Sequence, residues 1–111
     1  MKEYDLQVMI CKYLDSKNIL YCGSMGGQYQ KYHSQRIKMK KSGYKSGFPD
    51  LFIYEPRGKY SGLAIELKIG YNKASKKQIE WCNQLNKKGY LALICNGWDK
   101  TIKQIDKYLK L

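Results

Sequence analysis

The sequence is short of the residues on which several classes of function depend. Its 111 residues include one histidine, His33, and four cysteines that form no CxxC pair, so neither a zinc cluster nor a haem attachment motif can be assembled. No apolar run approaches the roughly 20 residues that cross a bilayer, and the charged start has no signal-peptide core. We expect a soluble, cytoplasmic protein with reduced cysteines, folded as one domain over residues 1–111.

Acidic residues are the second shortage. The chain has 9 Asp and Glu against 21 Lys and Arg, a formal charge of +12, and such a charge repels itself unless an anion offsets it. Between Ser16 and Pro49 there is no acid at all, while seven basic residues fall there: Lys17, Lys31, Arg36, Lys38, Lys40, Lys41 and Lys45. A lysine-rich surface without function is the plain alternative. The clustering favours a phosphate-rich partner, and we predict nucleic-acid binding.

The stretch from Gly23 to Gly47 is glycine-bearing and basic, with no sustained hydrophobic period. It predicts a long functional loop. Its predicted nucleic-acid contacts are Lys31, His33, Arg36, Lys38, Lys40, Lys41 and Lys45. A general base is the alternative role for His33, but a lone histidine in a basic loop is more typical of a phosphate or base contact. The loop tyrosines could stack on unpaired bases; they are Tyr29, Tyr32 and Tyr44.

Hydrophobic periodicity predicts an α/β protein with the element order α-β-loop-β-β-α-β-α. The predicted helices cover residues 3–15 and 75–88, followed by a final helix capped by Asp99. The predicted strands cover residues 19–22, 51–54, 63–69 and 90–95.

Three charged residues, Asp50, Glu66 and Lys68, lie within or directly before the two middle strands. Glu66 and Lys68 share one face of the second strand, because side chains alternate along a strand. An antiparallel hairpin that pairs Tyr54 with Leu63 would place Asp50 opposite Leu67, between Glu66 and Lys68, so we expect the three charged groups to converge. Two carboxylates in one place repel each other, and a divalent cation such as Mg²⁺ stabilises both in ionised form. The pattern indicates metal-assisted phosphodiester hydrolysis, with Lys68 positioning the attacking water.

Plainer interpretations of these residues stay open. Asp50 could cap a turn, while Glu66 and Lys68 could form a solvated pair on an edge strand. The protein could also be a non-catalytic nucleic-acid-binding module that uses the same basic loop. A sequence-specific restriction-type nuclease is a third hypothesis, although so short a chain leaves little room for a base-reading domain.

The whole arrangement resembles the virus-type replication-repair nuclease (VRR-NUC) domains of the PD-(D/E)XK superfamily. The resemblance covers essentially the entire chain and rests on Glu3 and Gln7 in the opening helix, Gly47-Phe48-Pro49-Asp50-Leu51, the run from Gly62 to Lys68, and Ser75-Lys76-Lys77-Gln78 with Trp81, Leu85, Gly89 and Tyr90. It implies an α/β restriction-endonuclease-like core, α-β-β-β-α-β, with a C-terminal helix and a mixed central sheet.

The resemblance also implies an Mg²⁺- or Mn²⁺-dependent endodeoxyribonuclease with its site residues at Asp50, Glu66, Lys68, Gln78 and Glu3. The implied metal ligands are Asp50, Glu66 and the backbone carbonyl of Leu67, with Glu3 ranked below them, and Lys68 is the implied catalytic lysine. A second role for Gln78 stays open, because it stands three residues after Ser75 and could form a capping box.

Within this family, the chain resembles the stand-alone members, which form homodimers and act on branched DNA. The resemblance therefore implies a homodimer that cuts substrates such as four-way (Holliday) junctions during replication or repair. It places the protein in the cytoplasm of a bacterial or phage-infected cell.

Overall fold

The structure is a computed structural model that describes residues 1–24 and 32–111. Its elements follow the chain in the order α1 (Glu3–Ser16), β1 (Tyr21–Gly23), α2 (His33–Lys41), β2 (Leu51–Ile53), β3 (Leu63–Lys68), α3 (Lys76–Lys87), β4 (Leu91–Asn96) and α4 (Gly97–Leu109). None of the helices in these two ranges is both long and apolar enough to cross a membrane.

The four strands form one mixed sheet in the order β1-β2-β3-β4. The β1–β2 and β2–β3 pairs are antiparallel. The β3–β4 pair is parallel, because α3 crosses over between these two strands. The predicted mixed α-β-β-β-α-β core with a C-terminal helix is therefore confirmed, with α2 as an addition.

β3 is central, and its two faces pack against different helices. Leu63, Ile65 and Leu67 face the main core, where they meet buried residues of α1 and α4: Leu6, Ile10, Leu14, Ile105 and Tyr108. Ala64 on the other face belongs to a smaller cluster under α3 that contains Cys82 and Ala92. All six residues of β3 are buried, so the sheet lies between two layers of helix.

The predicted loop before Gly47 contains a helix, α2, which the hydrophobic pattern missed. None of its residues is buried, so the sequence carries no apolar stripe to reveal the helical period. Its Lys, Arg, Gln and Met residues are good helix formers. The side chain of Gln35 accepts a hydrogen bond from the backbone N–H of Tyr32 at 3.4 Å, and three lysines in the last turn suit the negative end of the helix dipole.

Two further details of the sequence prediction are wrong. The hairpin register pairs Ile53 with Leu63, one residue away from the predicted pairing of Tyr54, whose N–H donates instead to the carbonyl of Leu20. The last helix begins at Gly97 after the N-cap residue Asn96, so Asp99 lies in the first turn and does not cap it. A carboxylate in the first turn still favours the helix through its dipole.

Candidate active site

The three charged residues of the middle strands converge at one end of the sheet. Continued by one residue beyond Leu51↔Ile65, the β2–β3 register places Asp50 opposite Glu66, and opposite residues share a face. One carboxylate oxygen of Asp50 accepts a hydrogen bond from the backbone N–H of Leu67 at 2.7 Å. Asp50 is thus fixed to β3 itself.

A close contact with α3 holds the turn that delivers Asp50. Gly47 has a φ of +90°, and a Cβ at this position would lie 2.9 Å from the α3 backbone, so only glycine fits. The indole N–H of Trp81 donates to the carbonyl of Ser46 at 3.1 Å. The ring of Trp81 meets that of Phe48 edge to face, with 5.1 Å between centroids. Contacts with Trp81 therefore fix Ser46 and Phe48, the residues on both sides of Gly47.

Glu66 and Lys68 are buried polar residues on a central strand. Glu66 is 2% exposed and Lys68 is 8% exposed, which rules out a solvated pair on an edge strand. The ammonium of Lys68 lies 3.4 Å from one carboxylate oxygen of Glu66. The other oxygen of Glu66 is buried and has no hydrogen-bond partner within residues 1–24 and 32–111. Buried polar atoms are rarely left in this condition without a functional reason.

Burial raises the pKa of Glu66 to about 8, and the neighbouring carboxyl group of Asp50 adds to this rise while Lys68 opposes it. Burial also raises the pKa of Asp50, against the hydrogen bond from Leu67. Two carboxyl groups that are close together and buried from solvent resist ionising at the same time. A bound cation would remove that resistance, because it favours the charged form of both.

Glu3 reaches the same cluster from the start of α1. Its carboxylate lies 4.0 Å from the ammonium of Lys68 and accepts a hydrogen bond from the side-chain amide of Asn72 at 3.2 Å. The sequence offered no signal for Asn72, since only the folded chain brings the two residues together. Gln7, one turn further along α1, contacts the carbonyl of Asp50 at 3.4 Å.

The donor atoms at this end of the sheet fit a hard divalent cation. Besides the carboxylates, the carbonyl of Leu67 faces Asp50. The N–H and C=O of a strand residue point to the same side, and the N–H of Leu67 points toward Asp50, to which it donates. No β2 residue pairs there, because β2 pairs no further than Leu51. In the part of the chain that the structure describes, no three His, Cys, Asp or Glu side chains form a metal-holding group. The site thus offers two carboxylates and a carbonyl, and Glu3 as a third acidic ligand stays a prediction.

Gln78 forms the capping box that the sequence left as its alternative role. Its side-chain oxygen accepts from the N–H of Ser75 at 2.9 Å, and its own N–H donates to the hydroxyl of Ser75 at 3.2 Å. Within the described residues, no hydrogen bond joins the Gln78 side chain to Asp50, Glu66 or Lys68. The capping role is therefore confirmed, and a catalytic role for Gln78 stays a prediction.

Most of the predicted nucleic-acid contacts lie on α2 or just beyond it. The exposed residues are His33, Arg36, Lys38, Lys40, Lys41 and Lys45. Among residues 32–45 as described, no carboxylate lies within ion-pair distance of these cations. Lys31 and Tyr29 lie outside the described residues. A cluster of exposed cations without acidic partners is suited to phosphate contacts.

Comparison with known proteins identifies the family. The family model of the VRR-NUC domain matches residues 1–99. A solved structure described as "VRR_NUC domain protein" is 31% identical to this chain, with a TM-score of 0.84, and the match covers 100% of this chain and 90% of that one. A search among curated proteins gave no significant match. The chain therefore belongs to the VRR-NUC domain family of nuclease-type, DNA-processing modules.

Proposed function

We propose that the chain is a single-domain, metal-dependent DNA endonuclease that hydrolyses phosphodiester bonds at branch points such as four-way junctions. The observation that carries this proposal is Glu66, a carboxyl group buried on a central strand, with one oxygen that accepts from no donor in the described structure and that can bond to Asp50 only while Glu66 is protonated. A purely structural position would favour an apolar side chain, since an unpaired buried polar atom costs about 1–3 kcal/mol. The cost is offset when a ligand binds there.

The residues that would hold a metal ion are Asp50, Glu66 and the carbonyl of Leu67, with Glu3 as a further carboxylate. Oxygen ligands of this kind suit Mg²⁺ or Mn²⁺. When bound, such an ion polarises the scissile phosphate and lowers the pKa of a water molecule.

Lys68 supplies the positive charge that belongs to the chain itself. The carboxyl oxygens of Glu66 and Glu3 lie 3.4 and 4.0 Å from its ammonium, which restricts the rotamers of a long side chain. An ammonium fixed in this way orients the attacking water and offsets the negative charge that grows on the phosphate. Its burial strengthens both effects, because solvent screens it less.

The exposed cations of α2 would hold the DNA while the cluster acts on it. Their contacts are with phosphates and carry no sequence information. A substrate chosen by shape is consistent with this surface. Symmetric cleavage of a four-way junction needs two active sites, so we propose a homodimer. Sedimentation that gives only a monomer at roughly tens of micromolar protein would contradict the dimer.

The decisive experiment incubates the purified chain with labelled single-stranded, duplex, flap and four-way DNA. Each substrate is tested with Mg²⁺, with Mn²⁺ and with excess chelator. We expect cleavage only with metal, fastest on a branched substrate, and none by Glu66→Gln. Equal cleavage in chelator would contradict the metal-dependent mechanism. Tight binding without cleavage under every condition would favour the non-catalytic binding module.

A further inference from the structure

Tyr71 is the most exposed of the large hydrophobic side chains described in the structure, at 102% of its reference accessibility. In residues 1–24 and 32–111 its ring pairs with no other aromatic ring, and its hydroxyl makes no hydrogen bond. Single exposed aromatic residues are common on protein surfaces. Tyr71 differs because it is the third residue after Lys68 and because both of its neighbours are held in place.

The turn that carries Tyr71 is anchored on either side of it. The carbonyl of Gly70 accepts a hydrogen bond from the side chain of Asn96 at 2.9 Å, and Gly70 has a left-handed φ of +55°. The backbone N–H of Asn72 donates to the carbonyl of Ile69 at 3.1 Å. The side chain of Asn72 also binds Glu3 at 3.2 Å. The turn is therefore tied to the end of β4 and to the acidic cluster itself.

A fully exposed aromatic ring on an anchored turn, three residues after Lys68, fits one class of ligand well. Nucleobases present flat faces that stack on aromatic side chains irrespective of base identity. Within a duplex those faces are already covered by neighbouring bases. An unpaired base at a branch point, a flap or a frayed end leaves a face free.

We infer that Tyr71 stacks on an unpaired nucleobase of the DNA strand bound at the acidic cluster. This inference rests on the proposed function, because it takes the strand near Lys68 to be DNA. It gives the site a means of recognising unpaired structure that the basic helix lacks, since lysine–phosphate contacts do not distinguish paired from unpaired DNA.

The test uses the full chain in excess chelator, so that binding is measured without cleavage. The probe is DNA with a fluorescent 2-aminopurine base, either unpaired at a branch point or fully paired. The variants are Tyr71→Ala, Tyr71→Phe and Tyr71→Trp. Tyr54→Ala is the matched control, because Tyr54 is 49% exposed and follows β2 at the end opposite Asp50.

We expect wild-type protein to quench the unpaired probe and Tyr71→Ala to lose both the quenching and roughly tenfold in affinity. Tyr71→Phe and Tyr71→Trp should retain both, and Tyr54→Ala should behave as wild type. Affinity for the fully paired probe should stay unchanged in all four variants. Since the Tyr71 side chain is fully exposed, its removal should leave the thermal transition in place.

Two outcomes would overturn the inference about Tyr71. One is unchanged quenching by Tyr71→Ala, and the other is an equal loss of affinity for paired and unpaired probes. The proposed function is judged separately, by cleavage in Mg²⁺ and its loss in Glu66→Gln. A chain that cuts DNA without any role for Tyr71 would retain the proposed function alone. A chain that quenches through Tyr71 but never cuts would retain the contact alone.

Discussion

The acidic cluster and the basic helix α2 are built in opposite ways. Glu66 and Lys68 are buried on a central strand and held by hydrogen bonds or ion pairs, whereas no residue of α2 is buried. Charge in the cluster opposes folding unless it is compensated, while charge on α2 is fully solvated. This difference suits the roles proposed above, chemistry at fixed distances in the cluster and phosphate contacts that tolerate movement on α2.

The largest expected effect separates cleavage from binding in the buried cluster. Glu66→Gln keeps the shape of the side chain but removes the negative charge that would hold the metal. Cleavage in Mg²⁺ should fall by orders of magnitude, because several kcal/mol of transition-state stabilisation are lost. Gel-shift affinity should persist or increase, since one anion near the phosphates is gone. A variant that cuts at the wild-type rate would contradict the role of Glu66.

Neighbouring substitutions sharpen this division of roles. Asp50→Asn should show the same loss of cleavage with retained DNA binding. Lys68→Ala should lose cleavage while still binding the metal, because it removes no ligand. Calorimetry with Mn²⁺ separates these cases, and loss of metal binding in Lys68→Ala would show that the lysine organises the carboxylates instead.

The next effect concerns the stability of the metal-free protein. Glu66 has a pKa of about 8 in the folded chain against an ordinary value of 4.5. Between these values the folded state keeps a proton that the unfolded chain releases, so the free energy of unfolding should fall as the pH rises from about 5 to about 8. The decrease should reach a few kcal/mol, at about 1.4 kcal/mol per pKa unit. Denaturant titrations in chelator measure it.

Glu66→Gln is the matched variant for this pH experiment. It carries no titrating proton at this position, so its stability should decrease less over the same pH range. At about pH 8 the variant should therefore be more stable than the wild-type chain in chelator. Parallel curves for the two proteins would show that Glu66 titrates normally and that the cluster is wetter than its burial indicates.

A smaller effect is expected in α2, confined to DNA binding. Lys40→Ala with Lys41→Ala should weaken binding to all sequences by roughly tenfold and reduce the salt dependence by up to about 2 logarithmic units per decade. Thermal stability should change little, because neither side chain is buried and each loses only a helix-dipole interaction of about 0.3–1 kcal/mol. Lys87→Ala with Lys88→Ala removes the same charge from the end of α3 and serves as the control. Equal losses in both double variants would indicate net charge rather than a contact surface.

The smallest effect tests the two roles of Gln78. Gln78→Ala and Ser75→Ala each break the capping box at the start of α3, and each should lower the free energy of unfolding by about 1 kcal/mol. If Gln78 acts only as a cap, the two variants should also cleave DNA equally well. A loss of cleavage in Gln78→Ala alone would indicate that its side chain leaves the cap when DNA binds.

The sequence by itself determined the parts of this protein that depend on local patterns. The alternation of apolar and polar residues along β3 assigned Glu66 and Lys68 to one face, because the side-chain period of a strand is fixed by backbone geometry. The order of the core elements and the acid-free basic stretch could also be predicted from the sequence, since neither requires knowledge of distant contacts.

Tertiary structure decided what local patterns leave free. The predicted register would have turned Asp50 to the opposite face, because a shift of one residue exchanges the two faces of a strand. The sequence predicted that Asp50 converges with Glu66, but only the observed register, one residue from the predicted one, puts the two carboxyl groups on the same face. The helix α2 escaped prediction because it buries nothing and so has no apolar period. The contact of Asn72 with Glu3 joins residues that are far apart in the chain, and only the fold brings them together. The complete exposure of Tyr71 likewise depends on the fold, which keeps the other residues that the structure describes away from its ring.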